Sequence, residues 1–515
     1  APVVAPGDAQ HYQRIAQAID AVLASNPEFQ RAHVGVSVTR LFDGVMVYAH
    51  DDQQLFVPAS NTKLLTTTTG FALLGPDWKT RTTVESAATI DRAGALKGDL
   101  ILVGRGDPNL SGRVLPYDVK SKPTTPPLQS LQLLANQLAA AGLKRVSGSI
   151  IGDDTWFAYE RWGDSWGQDD LMWEYGAPVS ALTVNDNQMF FTITPAPRAG
   201  RRAIVKADPF VDQYTIIDKI VTGAAKSEKR IAIDRQPGSF VINLWGTIPV
   251  RAPAEEVGLA MEDPAAFAAA AFRNMLIARG IKVAGTSRAR HTDNSTLPIT
   301  PPENAQPDAP IVVTPLQPLP TPSHQPRVVL AQLESHPLGE DIKIINKVSQ
   351  NLHVEILMRQ LGRERSLLAG SAAGGSVWGG TSVVRQYMTA NAGIPADEFQ
   401  YNDGSGMTPH NLVTPAMLTS LLRFARTQPW ADRFLDTLPL AATDGTLEHR
   451  FLNTPSAGRI RAKTGSLTEV SALSGYATTL DREELVFSIL VNAEKFGGVN
   501  RQLVDPIARA IVETR

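Results

Sequence analysis

The sequence predicts an α+β fold in which the two ends of the chain build one antiparallel sheet. Segments with the alternating apolar and polar residues of half-buried strands occur near both termini, and a helical apolar pattern flanks them at each end. Between them lies a long middle, from about residue 85 to 325, with short strands among Gly, Pro and Asp turns. We therefore expect a five-stranded antiparallel sheet flanked by helices, with accessory domains inserted into one of its loops.

The N-terminal end supplies the first helix and two strands of this sheet. Apolar residues recur at helical spacing over 11–23, and a Ser-Asn-Pro sequence ends that helix. Residues 33–41 alternate apolar and polar side chains. An Asp-Gly pair then predicts a tight hairpin turn into a second strand over 45–48.

The C-terminal end supplies the other three strands and the last helix. The strands are predicted at 459–463, 471–478 and 485–491, and the helix at 500–514. The middle of the chain contains short predicted strands at 100–103, 146–151 and 189–193. A Pro-rich segment over 292–327 predicts an extended linker with little to bury.

The composition is that of a folded protein and excludes several classes of function. Of 515 residues, 43% are hydrophobic and 19% are charged, so the chain is long enough for several domains. A formal charge of −2 provides no cationic field for nucleic acid. The absence of cysteine excludes disulfides, thiolate metal sites and a cysteine nucleophile. The histidines form no metal-ligand spacing, so we expect neither a metal nor another cofactor.

The start of the chain and its hydropathy pattern bear on location. No apolar run reaches the length of about 18 residues that a membrane span requires, so we expect none. The chain begins Ala-Pro-Val-Val, without Met or a charged-then-apolar leader. This start is expected of an exported protein whose signal peptide has been removed, and it predicts a periplasmic or otherwise extracytoplasmic location.

The first candidate for chemistry is the pair Ser60 and Lys63. A Pro followed by small residues and an apolar run predicts a helix start here, and a spacing of three places both side chains on one helix face. The ammonium can then approach the hydroxyl that it would deprotonate. A surface helix also explains many such pairs, but Ser60 is the only serine in the chain with a lysine three residues later.

Two further motifs follow in the chain. Ser349 and Asn351 are two residues apart in an apolar segment, a pattern that a helix cap or turn would also explain. Lys463 lies on a predicted strand and is followed by a hydroxyl residue and a glycine that lets a ligand approach the backbone, although a surface strand end would look the same. The ordered combination of all three motifs is far more specific than any one of them.

This combination resembles the penicillin-recognising serine enzymes. The long separation of Ser60 from Ser349, with the shorter one from Ser349 to Lys463, resembles the low-molecular-mass class C penicillin-binding proteins, which are D-alanyl-D-alanine carboxypeptidases and endopeptidases with two nested accessory domains. Other stretches are similar to that family as well: Gly98 to Pro108, Asp153 to Phe157, Asn185 to Asn187, and Asp403 to Gly406.

The resemblance implies a division of the chain. The peptidase domain would comprise 1–85 and 328–515. Accessory domain II would comprise 86–190 and 246–291, accessory domain III would be 191–245 nested within it, and 292–327 would be the linker.

The resemblance also implies a role for each site residue. Ser60 would attack the substrate carbonyl, Lys63 would take its proton, and Ser349 would relay a proton to the leaving amine. Lys63 must be neutral for this, and we expect burial beside Lys463 and the helix N-terminus to lower its pKa. Asn351 would bind the substrate amide, and Lys463, Thr464 and Ser466 would bind the terminal carboxylate. Gly465 would keep the strand edge open, and the backbone N–H groups of Ser60 and Ser466 would stabilise the oxyanion. Asp154 and Tyr159 would bind the side chain of the diamino acid.

The implied function is D-alanyl-D-alanine carboxypeptidase action on peptidoglycan stem peptides, with endopeptidase action on cross-links if the cleft is open enough, and with β-lactams as covalent inhibitors. Two alternatives stay open. A serine β-lactamase would release its acyl group rapidly, and a non-catalytic peptidoglycan-binding homologue would not be acylated.

One motif predicts a different enzyme and needs to be weighed. Gly163 to Gly167 satisfies Gly-x-Ser-x-Gly, the nucleophile elbow of α/β-hydrolases, which requires a buried strand before it and a helix after it. Neither pattern is present in the flanking sequence, so we do not expect an elbow. His353 is predicted to lie on a helix that packs against the core.

Overall fold

The computed structural model describes residues 6–117, 125–297, 311, 327–494 and 501–515. Its helices are α1 (Pro6–Ser25), α2 (Lys63–Leu73), α3 (Gln129–Ala140), α4 (Pro264–Ala278), α5 (Leu338–Lys347), α6 (Asn351–Arg365), α7 (Val377–Gln386), α8 (Pro415–Arg426), α9 (Ala431–Thr437) and α10 (Arg501–Glu513).

The strands are β1 (His33–Arg40), β2 (Met46–His50), β3 (Arg81–Ser86), β4 (Ala95–Leu96), β5 (Leu100–Val103), β6 (Arg145–Val146), β7 (Ile150–Asp153), β8 (Gln188–Thr194), β9 (Ile204–Asp208), β10 (Thr215–Gly223), β11 (Arg230–Asp234), β12 (Val241–Pro249), β13 (Glu255–Ala260), β14 (Lys282–Val283), β15 (Ser287–Arg290), β16 (Val328–Glu334), β17 (Phe399–Gln400), β18 (Leu412–Val413), β19 (Ile460–Leu467), β20 (Val470–Thr478) and β21 (Glu484–Asn492).

The predicted five-stranded sheet from both chain ends is confirmed. Its order is β19-β20-β21-β1-β2, and every neighbouring pair is antiparallel. Because successive side chains on a strand point to opposite faces, β21 serves two cores. Phe487 and Ile489 pack with α1 and α10, whereas Val486 and Leu490 pack with α2, α6 and α8 on the other face.

The middle of the chain leaves and returns through two neighbouring strands. β3 pairs antiparallel with β16, and both belong to a mixed sheet of order β15-β7-β5-β3-β16. The predicted boundary after residue 85 falls inside β3, and the one at 328 falls at the start of β16. The inserted residues also form three three-stranded sheets: β14-β6-β4, β13-β8-β9 and β10-β12-β11. The division into accessory domains stays a prediction.

One predicted strand of the insertion was wrong. Residues 146–151 form two strands, because the chain passes from the β14-β6-β4 sheet to the mixed sheet between β6 and β7. Gly148 lies at this crossing, where its amide donates to the carbonyl of Gly98. A Cβ atom at Gly148 would overlap the Gly98 backbone and the Asp99 carboxylate, so the close approach requires glycine.

Two further expectations concern the linker and the membrane. Most of the predicted Pro-rich linker, 298–310 and 312–326, lies outside the described residues. Among the helices that the structure describes, none is both long and apolar enough to cross a bilayer.

We predict that Phe487→Ala lowers the free energy of unfolding by about 3–5 kcal/mol, because truncating a fully buried aromatic ring leaves a cavity in the central strand. The matched change Phe42→Ala, at a ring that is 92% exposed, should alter it by no more than about 0.5 kcal/mol. Urea denaturation measures both. Equal losses in the two variants would contradict the placement of β21 at the centre of the sheet.

Candidate active site

A short 3₁₀ helix, Ala59–Thr62, carries Ser60 directly into α2. Ala59 has a left-handed φ of 46°, which turns the chain sharply before the serine. The buried Asn61 amide donates to Ser474 Oγ on β20 at 2.8 Å and so ties this turn to the sheet. Ser60 is therefore held on a rigid turn at the start of a buried helix.

Lys63 is completely buried one helical turn after Ser60. Its Nζ lies 2.8 Å from Ser60 Oγ, 2.7 Å from Asn351 Oδ1 and 2.6 Å from the carbonyl oxygen of Ser405. A neutral amine has two hydrogens and one lone pair. With the hydrogens directed to the carboxamide oxygen of Asn351 and the carbonyl oxygen of Ser405, which only accept, the lone pair faces the Ser60 hydroxyl.

Burial lowers the pKa of Lys63 to about 7, and the negative charges of Asp403 and Glu355 oppose this effect. The predicted depression is therefore present, with burial as its main cause. Lys463 is also fully buried, and its own pKa falls well below the usual value because of burial and the nearby Lys63. The two buried amines lie close enough to interact, which disfavours charging both.

The Ser349 and Asn351 motif lies in the turn between α5 and α6. Ser349 adopts a left-handed φ of 63°, and Asn351 is the first residue of α6. Lys463 Nζ donates to Ser349 Oγ at 2.9 Å. Asn351 donates through Nδ2 to the carbonyl of Tyr175 at 2.9 Å while its Oδ1 meets Lys63.

The third motif lies on β19, an edge strand of the central sheet. Gly465 packs against the turn that carries Ser60 (Ala59–Thr62), here called the nucleophile turn. A Cβ atom at Gly465 would come within 2.7 Å of the Pro58 carbonyl oxygen and 3.1 Å of the Ser60 nitrogen. Thr464 donates from Oγ1 to Thr446 Oγ1 at 2.8 Å. Ser466 follows and is exposed. The structure therefore brings together Ser60, Lys63, Ser349, Asn351 and Lys463, with Thr464, Gly465 and Ser466 alongside.

Two buried carboxylates shape the cleft, and sequence reasoning did not assign them a role. Glu355 on α6 accepts the backbone N–H groups of Gly404 and Ser405, each at 2.9 Å. Asp403 accepts the N–H of Gly406 at 2.7 Å. Together they fold the loop that presents the Ser405 carbonyl to Lys63. The Asp-Gly-Ser-Gly sequence was noted as a family likeness, and its buried partner on α6 had no sequence signal.

The predicted side-chain pocket residues have other partners in the structure. The buried Asp154 carboxylate accepts from Ser180 Oγ and lies 2.9 Å from His291 Nδ1, while the ring of Tyr159 stacks on His291. Their substrate role stays a prediction.

The same residue types recur at the same five-residue spacing in Asp170 and Tyr175. The Tyr175 hydroxyl donates to Asp170 at 3.0 Å, and the Tyr175 carbonyl accepts from Asn351. Tyr175 therefore adjoins the cleft, and Asp170 contacts its hydroxyl. Sequence spacing alone could not separate the two pairs.

The Gly163 to Gly167 segment is no nucleophile elbow. It forms an irregular turn with no strand before it and only the 3₁₀ helix Gln168–Asp170 after it. Instead, Trp166 from this segment donates its indole N–H to Asp403 at 2.9 Å. The inserted residues thus reach the loop beneath Lys63.

The fold and this cleft define a serine acyl-transferring enzyme of the penicillin-recognising class. The sequence profile of the D-Ala-D-Ala carboxypeptidase 3 (S13) family matches residues 15–299 and 318–511. The chain is 31% identical over 523 residues to a D-alanyl-D-alanine carboxypeptidase of Actinomadura sp. (strain R39), covering 99% of this chain and 87% of that protein. The chain therefore belongs to the D-Ala-D-Ala carboxypeptidase 3 family.

More distant relatives agree with this assignment. The D-alanyl-D-alanine carboxypeptidase DacB of Haemophilus influenzae is 24% identical over 90% of this chain and 86% of its own. The crystal structure of penicillin binding protein 4 (dacB) from H. influenzae has a TM-score of 0.76 at 21% identity, covering 95% of this chain and 97% of that one. Its complex with a novel β-lactam has a TM-score of 0.70 at 20% identity, with the same coverage. These structures confirm the predicted fold.

We predict that acylation of the protein by benzylpenicillin slows as the pH falls through about 7, because protonation of Lys63 removes its lone pair. Two pH units below that pKa, the neutral fraction is about 1%, so the rate at pH 5 should be about a hundredfold below its alkaline plateau. This rate is measured by quenching the reaction at successive times and determining the acylated fraction by intact mass spectrometry. Circular dichroism at both pH values controls for unfolding, and a flat profile would contradict Lys63 as the base.

Proposed function

We propose that the protein is a serine D-alanyl-D-alanine carboxypeptidase in which Ser60 forms the acyl-enzyme. The observation that carries this proposal is the approach of the buried Lys63 amine to Ser60 Oγ at 2.8 Å. A hydroxyl is a weak nucleophile until a neighbouring base takes its proton, and Lys63 is the base within hydrogen-bond reach. The family membership supports the same chemistry.

In the acylation step, Ser60 Oγ attacks the carbonyl carbon of the penultimate D-alanine while its proton passes to Lys63 Nζ. The negative charge that develops on the carbonyl oxygen would be stabilised by the backbone N–H groups of Ser60 and Ser466, and one such donor contributes about 10²- to 10³-fold to the rate. Gly465 supports this arrangement, because its missing side chain lets β19 approach the nucleophile turn.

The bond to the terminal D-alanine then breaks, and its nitrogen needs a proton. Ser349 is suited to deliver it: as its hydrogen passes to the nitrogen, its oxygen takes a proton from Lys463 Nζ, which lies 2.9 Å away. In a second step water attacks the ester carbonyl carbon, and Lys63 returns its proton to Ser60 Oγ as the ester bond breaks. The proton that water releases restores the one that Lys463 gave up, and the shortened peptide leaves as a carboxylate.

The strand that carries Lys463 favours a substrate with a free C-terminus. Lys463, Thr464 and Ser466 provide an amine and two hydroxyls at one end of the cleft, and these groups suit a terminal carboxylate. This is the reason for placing carboxypeptidase action first.

Asp170 and Tyr175 support a further proposal about the substrate. The Tyr175 carbonyl contacts Asn351, which would hold the substrate amide, and the Tyr175 hydroxyl donates to Asp170, so the two residues provide a carboxylate beside an aromatic ring. A stem-peptide residue with a side-chain amine would find there both a charge partner and an apolar wall. We therefore assign the diamino acid pocket to this pair in preference to Asp154 and Tyr159.

The β-lactamase alternative is not favoured by the described cleft. Rapid deacylation needs a base for the attacking water. The two carboxylates whose charge acts on Lys63 are both fully engaged: Glu355 by two backbone N–H groups and Arg359, and Asp403 by Trp166 and the loop it folds. A long-lived penicilloyl enzyme is expected instead. Because peptidoglycan lies outside the cytoplasmic membrane, we place the protein in the periplasm or an equivalent extracytoplasmic space.

We predict that benzylpenicillin adds its mass to the native protein and not to Ser60→Ala, since only Ser60 can form the ester. The matched control is Ser165→Ala, which removes the serine of the Gly-x-Ser-x-Gly sequence and should leave the adduct intact. Intact mass spectrometry measures both. An adduct on Ser60→Ala would disprove the nucleophile, and no adduct on the native protein would favour the non-catalytic binding homologue.

We predict that Asp170→Asn raises KM about tenfold for a peptide with a free side-chain amine, because one charge-assisted hydrogen bond contributes about 1.5 kcal/mol. The same peptide with that amine acetylated should show little change. D-Alanine release measures both. Asp154→Asn is the matched control at the other Asp and aromatic pair, and a larger KM effect there would favour the original assignment of the pocket.

A further inference from the structure

Behind the turn that carries Ser349 lies a buried cluster of four alternating charges, here called the Asp186 cluster. It comprises Arg113, Asp186, His353 and Asp341, whose side chains are each at most 9% exposed. Arg113 donates to both oxygens of Asp186, at 3.1 and 2.7 Å. His353 bridges the two carboxylates, with Nε2 3.1 Å from Asp186 and Nδ1 2.7 Å from Asp341.

The charges of this cluster balance when the imidazole is protonated. The two carboxylates raise the pKa of His353 to about 9 against the effect of burial. The imidazolium and the Arg113 guanidinium then match the two carboxylates. Hydrogen bonds between balanced charges favour a well-defined geometry among these four groups, which lie near a further buried carboxyl, Asp107. Removing one member leaves an uncompensated buried charge.

The cluster joins the inserted residues to the two helices on either side of Ser349. Asp341 lies in the first turn of α5, and His353 lies in the first turn of α6. The turn holding Ser349 connects these helices, so the imidazole bridge constrains how they meet. Asp186 comes from the insertion, in the segment Asn185–Asn187, where all three residues have left-handed φ angles between 49° and 54°.

A second contact links Asp186 to the catalytic turn itself. Gln350, the residue between Ser349 and Asn351, caps α6 by accepting the Leu352 N–H through Oε1 at 2.8 Å. Its Nε2 donates to Asp186 Oδ2 at 3.4 Å. One carboxylate from the insertion therefore contacts the turn at Gln350 and the following helix at His353.

We propose that Asp186 is a positioning residue, through which the insertion holds Ser349 in the geometry needed to protonate the leaving nitrogen. Ser349 needs this help because its own backbone is in the left-handed region, which L-residues with side chains rarely adopt without surrounding constraint. Asn351 has separate anchors in Lys63 and the Tyr175 carbonyl. The effect of Asp186 should therefore fall on proton delivery more than on substrate binding.

This inference rests on the proposed function and can be separated from it by the choice of substrate. An amine leaving group must be protonated as it departs, whereas the thiolate of a thioester departs without a proton. A misplaced Ser349 should therefore slow hydrolysis of a D-alanyl-D-alanine peptide, whose leaving group is an amine. Hydrolysis of the thioester analogue with the same acyl group should be little affected. A partly unfolded enzyme would lose both activities by the same factor.

The experiment measures kcat and KM of the full chain for both substrates in Asp186→Asn and Gln350→Glu. The second variant keeps the acceptor that caps α6 and places a second carboxylate against Asp186, so it carries the test if Asp186→Asn does not fold. We expect kcat for the amide to fall about tenfold to a hundredfold, as displacements of about 1 Å can cause. The thioester kcat should stay within about twofold.

The matched control is Glu262→Gln, which removes a carboxylate that is 5% exposed and whose side-chain partners, Arg161, Arg235 and Gly238, are all within the insertion. It should leave the amide-to-thioester ratio of kcat unchanged. An unchanged ratio in the folded Asp186 and Gln350 variants would overturn the inference. A native protein that hydrolyses neither substrate would instead overturn the proposed function.

Discussion

The site depends on a single electrostatic constraint, which is that the Lys63 amine is buried without being fully neutralised by carboxylates. Burial lowers its pKa to about 7, and the charges of Asp403 and Glu355 act in the opposite direction. Both carboxylates accept hydrogen bonds from backbone N–H groups and other donors, and neither forms an ion pair with Lys63. The balance leaves an amine that can exchange a proton near neutral pH, which is what a base for serine requires.

Close backbone contact holds the reacting groups in register. Gly465 on β19 and Gly406 in the loop after Asp403 both pack closely against the turn that carries Ser60. A Cβ atom at Gly465 would overlap the Pro58 carbonyl oxygen, and one at Gly406 would overlap the Ala59 carbonyl oxygen. Such packing leaves little freedom for Ser60 to move relative to the strand edge. The oxyanion site proposed here is therefore built from main chain, whose positions change less than those of side chains.

The sequence was sufficient for the central sheet, because strand alternation is a local property. It was sufficient for the convergence of the three motifs because their order resembles that of a known family. It was insufficient where partners come from distant segments. The acidic residue of α6, Glu355, had no sequence pattern, since its partners are main-chain N–H groups 49 and 50 residues away. The pocket assignment depended on an Asp-to-Tyr spacing of five residues that occurs three times, at Asp43, Asp154 and Asp170. The three-dimensional contact of Tyr175 with Asn351 distinguishes the last of these pairs.

The order of strands in the central sheet also affects how the molecule is made. β1 and β2 are synthesised first and pair with each other, yet the other neighbour of β1 is β21, the last strand that the structure describes. Until β21 arrives, β1 has an open edge and both faces of the sheet lack their cores. Pairing between strands so far apart in sequence slows folding, and it leaves an unpaired strand edge on the nascent chain that can pair with other chains. The early strands therefore have to be kept from pairing with other chains until the end of the chain has been made.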